Sequence, residues 1–522
     1  VTGEDSTVAD LVASAARTVP DTIALIDTAT RATLTWHDTE RAVAAFARRL
    51  GEAGIARGDR VAIRLPTSAE FAVAFFATLR AGAVAVPLNP QAPSAEIDPV
   101  LDHSGSRLLV TDRALQTTCS PEVMAPSIEV DGDSGAPAEG TGGGEELAAL
   151  FYTSGTTGPA RGVMLSHRAL LANVAQLTAL DPPAAQPDDR VYVAVPLHHI
   201  YGLGPGLLAP TAVGATTVLS PRFEVGQALA DLVEHRVTGM VGVPAMYAAL
   251  AEQPAERLRE SLASMRLMVS GAAPLRPRVL SDLRSATGHG VYEGYGLTEA
   301  APVVTSTLAT GYPKPGSVGR PLPGVEVRLV DSDGSPLPVP LDPEDPDDAF
   351  DADADGTGLV SVRGANLFSG YWPDGAHGPD ADGWFRTGDV GYIDVDGDLH
   401  LVDRAGDLVI VNGFNVYPHE VEEVVRAIPG VAEVVVVGVL DERTGEAVKA
   451  VVVPEPEAEL SQRQVLERCA ERLAGYKVPR TVEFVTELPH TPLGKVRRAE
   501  LRASGDDTGA SGDDTGQDGT HG

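Results

Sequence analysis

The sequence predicts an α/β protein with a large N-terminal domain, a small all-β subdomain within it, and a small α+β domain towards the C-terminal end. Three observations carry that expectation. Helical and strand periodicities alternate from about residue 40; short strands split by Gly/Asp turns take over after about residue 315; and a compact α/β pattern resumes beyond Arg404. At 522 residues the chain is several times a typical ~150-residue domain, so more than one core is expected.

Val43, Phe46, Ala47 and Leu50 recur at helical spacing, and Val61, Ile63 and Leu65 then alternate as a strand. Phe71, Ala74, Phe75 and Thr78 repeat the helical spacing, Gly82 stops it, and 83–88 reads as the next buried strand. Such β–α–β order implies a parallel sheet covered by helices. Further strands are expected at 107–111, 147–152, 191–197, 214–219, 237–243 and 266–270, with the Gly-rich acidic stretch 131–146 as a surface loop. In the β-rich part, strands are expected at 325–330, 358–363, 391–394 and 398–402, with Asp396-Gly397 as a hairpin turn. Beyond Arg404 follow a strand at 407–411 and a helix at 419–428 with Val421, Val424, Val425 and Ile428 on one face. Strands at 433–440 and 447–453 come next, then a helix opened by Ser461, with Gln464 completing a capping box. The expected divisions are 1–402, 403–502 and a disordered tail, 503–522, whose tandem repeat at 503–509 and 510–516 has nothing to bury.

The net charge of −33 argues against nucleic acid or an anionic membrane as principal partner. Three segments without Lys or Arg, 131–146, 342–355 and 503–522, hold 5, 8 and 5 acids, over half of that excess, and read as solvated loops and a tail. No run approaches the ~20 apolar residues that span a bilayer, and the first residues lack the basic start of a signal peptide, so a cytoplasmic chain without a transmembrane segment is expected. Cys119 and Cys469 are too few for a disulfide framework or a zinc site, and Cys469 shares a helical stripe with Leu466, Ala470 and Leu473, which makes it a core residue. Basic residues are skewed. Four lysines, Lys314, Lys449, Lys477 and Lys495, stand beside 36 arginines, so a lysine that persists is a candidate for a chemical requirement.

Chemistry concentrates in a few segments. Tyr152-Thr153-Ser154-Gly155-Thr156-Thr157-Gly158-Pro159-Ala160-Arg161-Gly162 follows an expected strand and combines hydroxyls, glycines that allow close backbone approach, and a cation, the parts needed to surround a polyphosphate. It does not fit a Walker A loop, and taken alone it also reads as a plain flexible loop. Gly294-Tyr295-Gly296-Leu297-Thr298-Glu299 sets an aromatic platform, a hydroxyl and a carboxylate close together, suited to a base, a phosphate and a magnesium ion. Thr387-Gly388-Asp389 puts a carboxylate at a tight turn, within reach of a ribose diol, and Pro492-Leu493-Gly494-Lys495-Val496-Arg497 presents one of the lysines on a Gly-flanked loop.

With these motifs in this order, joined by Pro196-Leu197-His198-His199-Ile200-Tyr201-Gly202, Ser270-Gly271-Ala272-Ala273-Pro274-Leu275, Trp384 to Asp389, Asp403-Arg404 and Gly413-Phe414, residues 7–502 resemble the adenylate-forming superfamily. That superfamily holds acyl-CoA synthetases, adenylation domains and beetle luciferases, and the chain is most similar to the medium- and long-chain fatty acyl-CoA synthetases. The resemblance implies α/β sheet subdomains, a β-barrel-like subdomain and a mobile C-terminal domain. It also implies two steps, in which a carboxylate attacks the α-phosphate of MgATP to give acyl-AMP, and coenzyme A then displaces AMP. Thr153, Ser154, Gly155, Thr156, Thr157, Gly158 and Arg161 would surround the β- and γ-phosphates, with Thr298 on the α-phosphate and Glu299 on Mg2+. Gly271, Ala272, Ala273, Glu293, Gly294, Tyr295 and Gly296 would form the adenine slot, Tyr295 stacking on the base, and Asp389 and Arg404 would bind the ribose. Lys495 would bridge the carboxylate and the α-phosphate, Asp403 would be the hinge, and Gly413 and Phe414 would border the CoA tunnel. His199 would gate an acyl pocket lined by Tyr201, Gly202, Val243, Met246 and Val303.

The chain departs from that pattern in three places. Proline is displaced at Pro159 and Arg161 stands for the usual lysine; His198 replaces a common aromatic; and 342–355 looks like an acidic insertion. Asp351, Asp353, Asp355 and Gly356 match the first half of an EF-hand loop, but Val362 stands where the closing glutamate belongs, so no calcium site is expected. No acid in 199–205 would bind a substrate ammonium, and the Gly-, Ala- and Val-rich pocket segments suit a hydrophobic acid, fatty, aryl or polycyclic. Free CoA is the expected acceptor. The alternatives are an acyl carrier protein, an enzyme specialised for one half-reaction, and a binding protein without catalysis. Enrichment in Arg, Ala, Gly and Asp points to a high-GC bacterial source.

Overall fold

In a computed structural model the described residues are 6–113, 117, 119, 121–129, 142–153, 161–331, 333–337, 357–404, 409–411, 414–416, 418–441, 445–456, 458–473, 475–490 and 496–503, less the side chains of 403, 404, 410, 414, 415, 445, 499 and 503. They divide into two compact units, 1–401 and 402–522. Most of the stretch 131–146, the acidic insertion with its EF-hand-like half, and the tail repeat lie outside the described residues. Among the described residues no helix is long and apolar enough to cross a membrane.

The first unit carries three sheets. One has six strands in the order Glu122–Met124, Ser106–Thr111, Arg60–Arg64, Val84–Pro87, Leu147–Thr153 and Arg161–Ser166. Neighbours run parallel except the last two, which form an antiparallel hairpin. The crossover from Arg60–Arg64 to Val84–Pro87 is the helix Ala69–Arg80, capped by Ser68, whose hydroxyl accepts from the Phe71 amide at 3.2 Å. Val73, Phe76 and Leu79 are buried along with the predicted Phe71, Ala74 and Phe75, so this helix is apolar all round and packs on every side.

The second sheet has nine strands, in the order Arg320–Pro321, Val303–Ser306, Val291–Gly296, Leu267–Ser270, Gly239–Gly242, Arg190–Val193, Thr216–Leu219, Ile23–Asp27 and Thr33–Thr35. Its six central strands are parallel, from Val291–Gly296 to Ile23–Asp27. The strand expected at 191–197 ends at Val193, because the chain turns towards Thr67, whose hydroxyl accepts from the Leu197 amide at 3.1 Å.

The third sheet is antiparallel where its register is recorded, in the order Val325–Val330, Gly358–Gly364, Phe385–Ile393 and Leu399–Arg404. Gly397, at φ 84°, closes the turn with its amide on the Asp394 carbonyl, 2.9 Å away. The expected tight turn at Thr387-Gly388-Asp389 is instead a bulge inside Phe385–Ile393. Leu359 to Ser361 advances two residues on one strand while Val390 to Arg386 passes four on the other, and Gly388 takes φ 78° to absorb them.

In the second unit Phe414–Val416, Val409–Val411, Gly445–Pro454 and Val431–Asp441 form one sheet, with Thr481–Phe484 parallel to Gly445–Pro454. Alternation sends Val434 and Val436 to one core with Val421, Val425, Val465 and Cys469, and Val435 and Val437 to another with Leu488 and Leu501. The helix Gln462–Ala470 starts in the expected capping box of Ser461 and Gln464. Cys469 is buried, which pushes its thiol up to about 11, but Ala470 faces solvent; Val465 completes the stripe in its place.

Candidate functional site

Four motifs far apart in sequence leave the C-terminal ends of four neighbouring parallel strands. Arg190–Val193 leads to Pro196–Gly202, Gly239–Gly242 to Val243–Met246, Leu267–Ser270 to Gly271–Ala273, and Val291–Gly296 to Thr298 and Glu299. In an α/β sheet that edge is where ligands bind, because backbone amides and loops face outwards there. Tyr201 ties three of the motifs together. Its hydroxyl donates to the Gly242 carbonyl at 3.1 Å, and its ring covers Gly271, where a Cβ would come 2.9 Å from the ring. Tyr247 donates to the Val269 carbonyl at 2.7 Å, and burial pushes both phenols up. Val243, Met246 and Val303 are buried, and Gly202 sits so close to the Pro196 carbonyl that a Cβ would lie 2.3 Å from it. His199 Nδ1 accepts from the Tyr201 amide at 3.2 Å, which puts the ring proton on Nε2. Burial lowers His198 to about 4, so that imidazole is neutral at physiological pH.

The residues expected at the adenine slot are also linked. Ala272 holds φ 71°, a strained conformation for a residue with a Cβ. The loop it sits in is fastened by Glu293, whose Oε2 accepts from the Leu275 amide at 3.0 Å. Glu293 is buried, and that burial, only partly offset by this hydrogen bond, raises its carboxyl to about 7. Gly294 and Gly296 lie against the strand Val303–Ser306, with Val303 opposite Gly296. Tyr295, expected to stack on a base, is almost wholly buried, and its hydroxyl donates to Asp389 Oδ2 at 2.5 Å. The bulge at Gly388 aims Asp389 there, so the expected base and ribose residues form one unit.

On the phosphate side, Thr153 and Arg161 are register partners at the end of an antiparallel hairpin. Residues 154–160 between them, which include Ser154, Gly155, Thr156, Thr157 and Gly158, lie outside the described residues, as do Gly413 and Lys495. Asp403 and Arg404 end one strand and Phe414 begins another, with their side chains outside the description. Glu299, half-buried on the short 3-10 turn Thr298–Ala300, accepts from the Tyr371 hydroxyl through Oε1 at 2.7 Å. Among the described residues its second oxygen has no recorded partner, and a single such carboxylate fits Mg2+, a hard cation that takes one or two protein oxygens and fills its shell with phosphate and water.

The cluster with more ligand-like atoms is Asp394, Asp396 and Asp398. It is already filled: Lys314 Nζ lies 2.6, 2.7 and 3.0 Å from the three carboxylates. Lys449 and Lys477 likewise pair with Glu483 and Glu420, so these three lysines serve the fold. Two residues the sequence reading passed over border the phosphate hairpin, Tyr371 and Trp372. An aromatic pair after Gly370, in a chain with 11 tyrosines and 3 tryptophans, was the available signal.

Comparison with known proteins adds a family. The model of the AMP-binding enzymes matches residues 12–372, and that of the AMP-binding enzyme C-terminal domain matches 420–495. The chain is 37% identical over 477 residues to a feruloyl-CoA synthase of Amycolatopsis, covering 90% of this chain and 93% of that one. It is 33% identical over 523 residues to a long-chain-fatty-acid–CoA ligase of Escherichia coli, covering 90% of each. ATP-bound MatB of Rhodopseudomonas palustris superposes with a TM-score of 0.85 at 34% identity, covering 96% of this chain and 99% of that one.

Proposed function

This chain belongs to the AMP-binding enzyme family and is an AMP-forming acyl-CoA synthetase, and we propose that the acid it activates is a hydrophobic one, fatty or aryl. The observation that carries the choice of acid is the engagement of both phenols. Tyr201 and Tyr247 donate to backbone carbonyls of Gly242 and Val269, so beside Val243, Met246 and Val303 they offer no donor to a charged substrate group. A pocket so lined favours apolar surface and penalises an unpaired charge.

In this reading the first step brings two anions together, which requires neutralised charge and held alignment. Thr153, Arg161 and the loop 154–160 hold the β- and γ-phosphates, and Thr298 holds the α-phosphate. Glu299 would hold Mg2+, which would supply further positive charge to the phosphates. Lys495 gives the compact charge between carboxylate and α-phosphate. Gly271 to Ala273 and Glu293 to Gly296 border the adenine, and Asp389, with Arg404, takes the ribose hydroxyls. Asp403 is the hinge, Gly413 and Phe414 border the path of CoA, and His199, its Nδ1 accepting from the Tyr201 amide, stands at the mouth of the acyl pocket. ATP and CoA as co-substrates accord with a cytoplasmic enzyme, and the Arg-, Ala- and Gly-rich composition with a bacterial one.

The test is mass spectrometry of products from ATP, Mg2+ and a panel of fatty, aryl and polycyclic acids, each with and without CoA. Acyl-AMP without CoA and acyl-CoA with it are expected for one apolar class. Turnover confined to amino or dicarboxylic acids would overturn the reading of the pocket, and acyl-AMP that CoA cannot consume would assign the second step to a carrier protein.

A further inference from the structure

The segment 368–372 lies along the outer strand of the phosphate hairpin and is pinned at four residues. The Phe368 amide donates to the Glu299 carbonyl at 2.9 Å, Ser369 to Met164 at 2.9 Å, Met164 to Gly370 at 3.1 Å, and Trp372 to Gly162 at 2.8 Å. Gly162 is wedged between two rings' side chains: a Cβ there would lie 3.2 Å from both Trp372 Cβ and Tyr152 Cζ. The Trp372 indole donates to the His103 carbonyl at 3.0 Å, while His103 Nδ1 and the Tyr152 hydroxyl are 2.9 Å apart, so both stems of the hairpin are tied to this segment.

Within that brace Tyr371 makes two contacts towards the reacting groups. Its hydroxyl donates to Glu299 Oε1 at 2.7 Å, and the Arg161 guanidinium lies over its ring, 5.4 Å from the centroid. The ring is set by an edge-on contact with Phe368, centroids 5.1 Å apart, and Phe368 is held in the same way by Phe385 at 4.9 Å. We propose that Tyr371 is a positioning residue for adenylate formation, fixing through its hydroxyl the carboxylate that faces the metal and through its ring the cation that closes the phosphate loop. The inference rests on the acyl-AMP reading above.

The physical argument has two parts. A carboxylate with one oxygen held by a hydroxyl no longer rotates freely, so its other oxygen is offered in one direction, and such outer partners typically change metal affinity by ~10–100-fold. A weakly hydrated, planar guanidinium is drawn to an aromatic face more readily than a hydrated ammonium, which suits Arg161 rather than a lysine to the place above this ring.

The test separates hydroxyl from ring. Tyr371→Phe keeps the ring and loses the hydroxyl; Tyr371→Leu loses both. Binding of Mn2+ in the presence of a non-hydrolysable ATP analogue, followed by electron paramagnetic resonance, is expected to weaken ~10-fold in Tyr371→Phe. The Mg2+ concentration giving half-maximal acyl-AMP formation should rise by the same factor, with KM for the acid unchanged. Tyr371→Leu should in addition raise KM for ATP, since Arg161 loses its seat; should that variant fail to fold, Tyr371→Phe decides alone. Unchanged Mn2+ affinity in Tyr371→Phe, or a lower kcat with wild-type Mg2+ dependence, would overturn the proposal. Wild-type protein that forms no adenylate with any acid would instead sink the functional reading, which the Mn2+ measurement tells apart.

Discussion

Asp394, Asp396 and Asp398 on one hairpin turn, and Glu299 on another, treat negative charge in opposite ways. The three aspartates converge on Lys314, with Arg320 and His400 at their edge. Glu299 is held by a phenol, which orients it and neutralises nothing. Counting carboxylates would choose the first group as a metal site; counting charge favours the second, the place proposed above for Mg2+. Acids already matched by the chain's own cations are fasteners, and an acid that forms no ion pair among the described residues keeps charge to offer a ligand.

The contrast breaks most sharply at Glu299→Gln. Acyl-AMP formation is expected to fall ~100-fold or more, as when one preorganised electrostatic group is lost from a reacting site, while Lys314→Met stays within about twofold of wild type. Comparable losses in a coupled pyrophosphate-release assay would dissolve the distinction.

Glu293 sharpens it from a third side, as a buried acid with a backbone amide for company and, among the described residues, no matched cation. Its ordinary value of 4.5 is raised to about 7 by burial, so the folded protein binds this proton more tightly than the unfolded chain. The resulting stabilisation is full below pH 4.5 and is lost as pH rises to about 7. Glu293→Gln should therefore gain up to ~3 kcal/mol on wild type across that window, measured by denaturant unfolding at several pH values. Parallel curves for the two proteins would show that Glu293 is solvated.

The smallest effect is expected at the fastener. Lys314→Met should cost about 2–3 kcal/mol at neutral pH, less than the ~3–5 of a fully buried pair because Asp396 is half exposed. Burial alone would raise Asp394 and Asp398, but Lys314 together with His400 and Thr310 outweighs it and holds both below the usual carboxylate range. Their contribution is present above the ordinary value and lost as pH falls through the folded values, so the penalty of the substitution should shrink in acid. A constant penalty from neutral pH down to pH 3 in urea unfolding would contradict that account.

Much of this could be read from the sequence wherever the determinant is local. Ser461 with Gln464 announces its helix, Asp396-Gly397 its hairpin, and the alternation of helical and strand periodicity from about residue 40 the parallel sheets. What escaped was set by partners distant in the chain. Thr387 to Asp389 looks like a turn but is a bulge, because Gly358–Gly364 dictates the register opposite it. Ala470 fits an apolar stripe but lies just past the packed turn of its helix. Tyr371 shows no role until it is seen beside Glu299, 72 residues away along the chain.

The sheet that gathers these motifs has a bearing on inheritance. Pro196–Gly202, Val243–Met246 and Gly271–Ala273 hang from strands that are almost wholly buried, so changes in the hanging segments are insulated from the framework that supports them. On the functional reading proposed above, a duplicated gene can reshape the acyl pocket at Val243 or Met246 while Thr298 and Glu299, on a different strand end, keep the chemistry that every acid shares. The framework and the specificity are separable heritable traits, and divergence in one need not await compensation in the other.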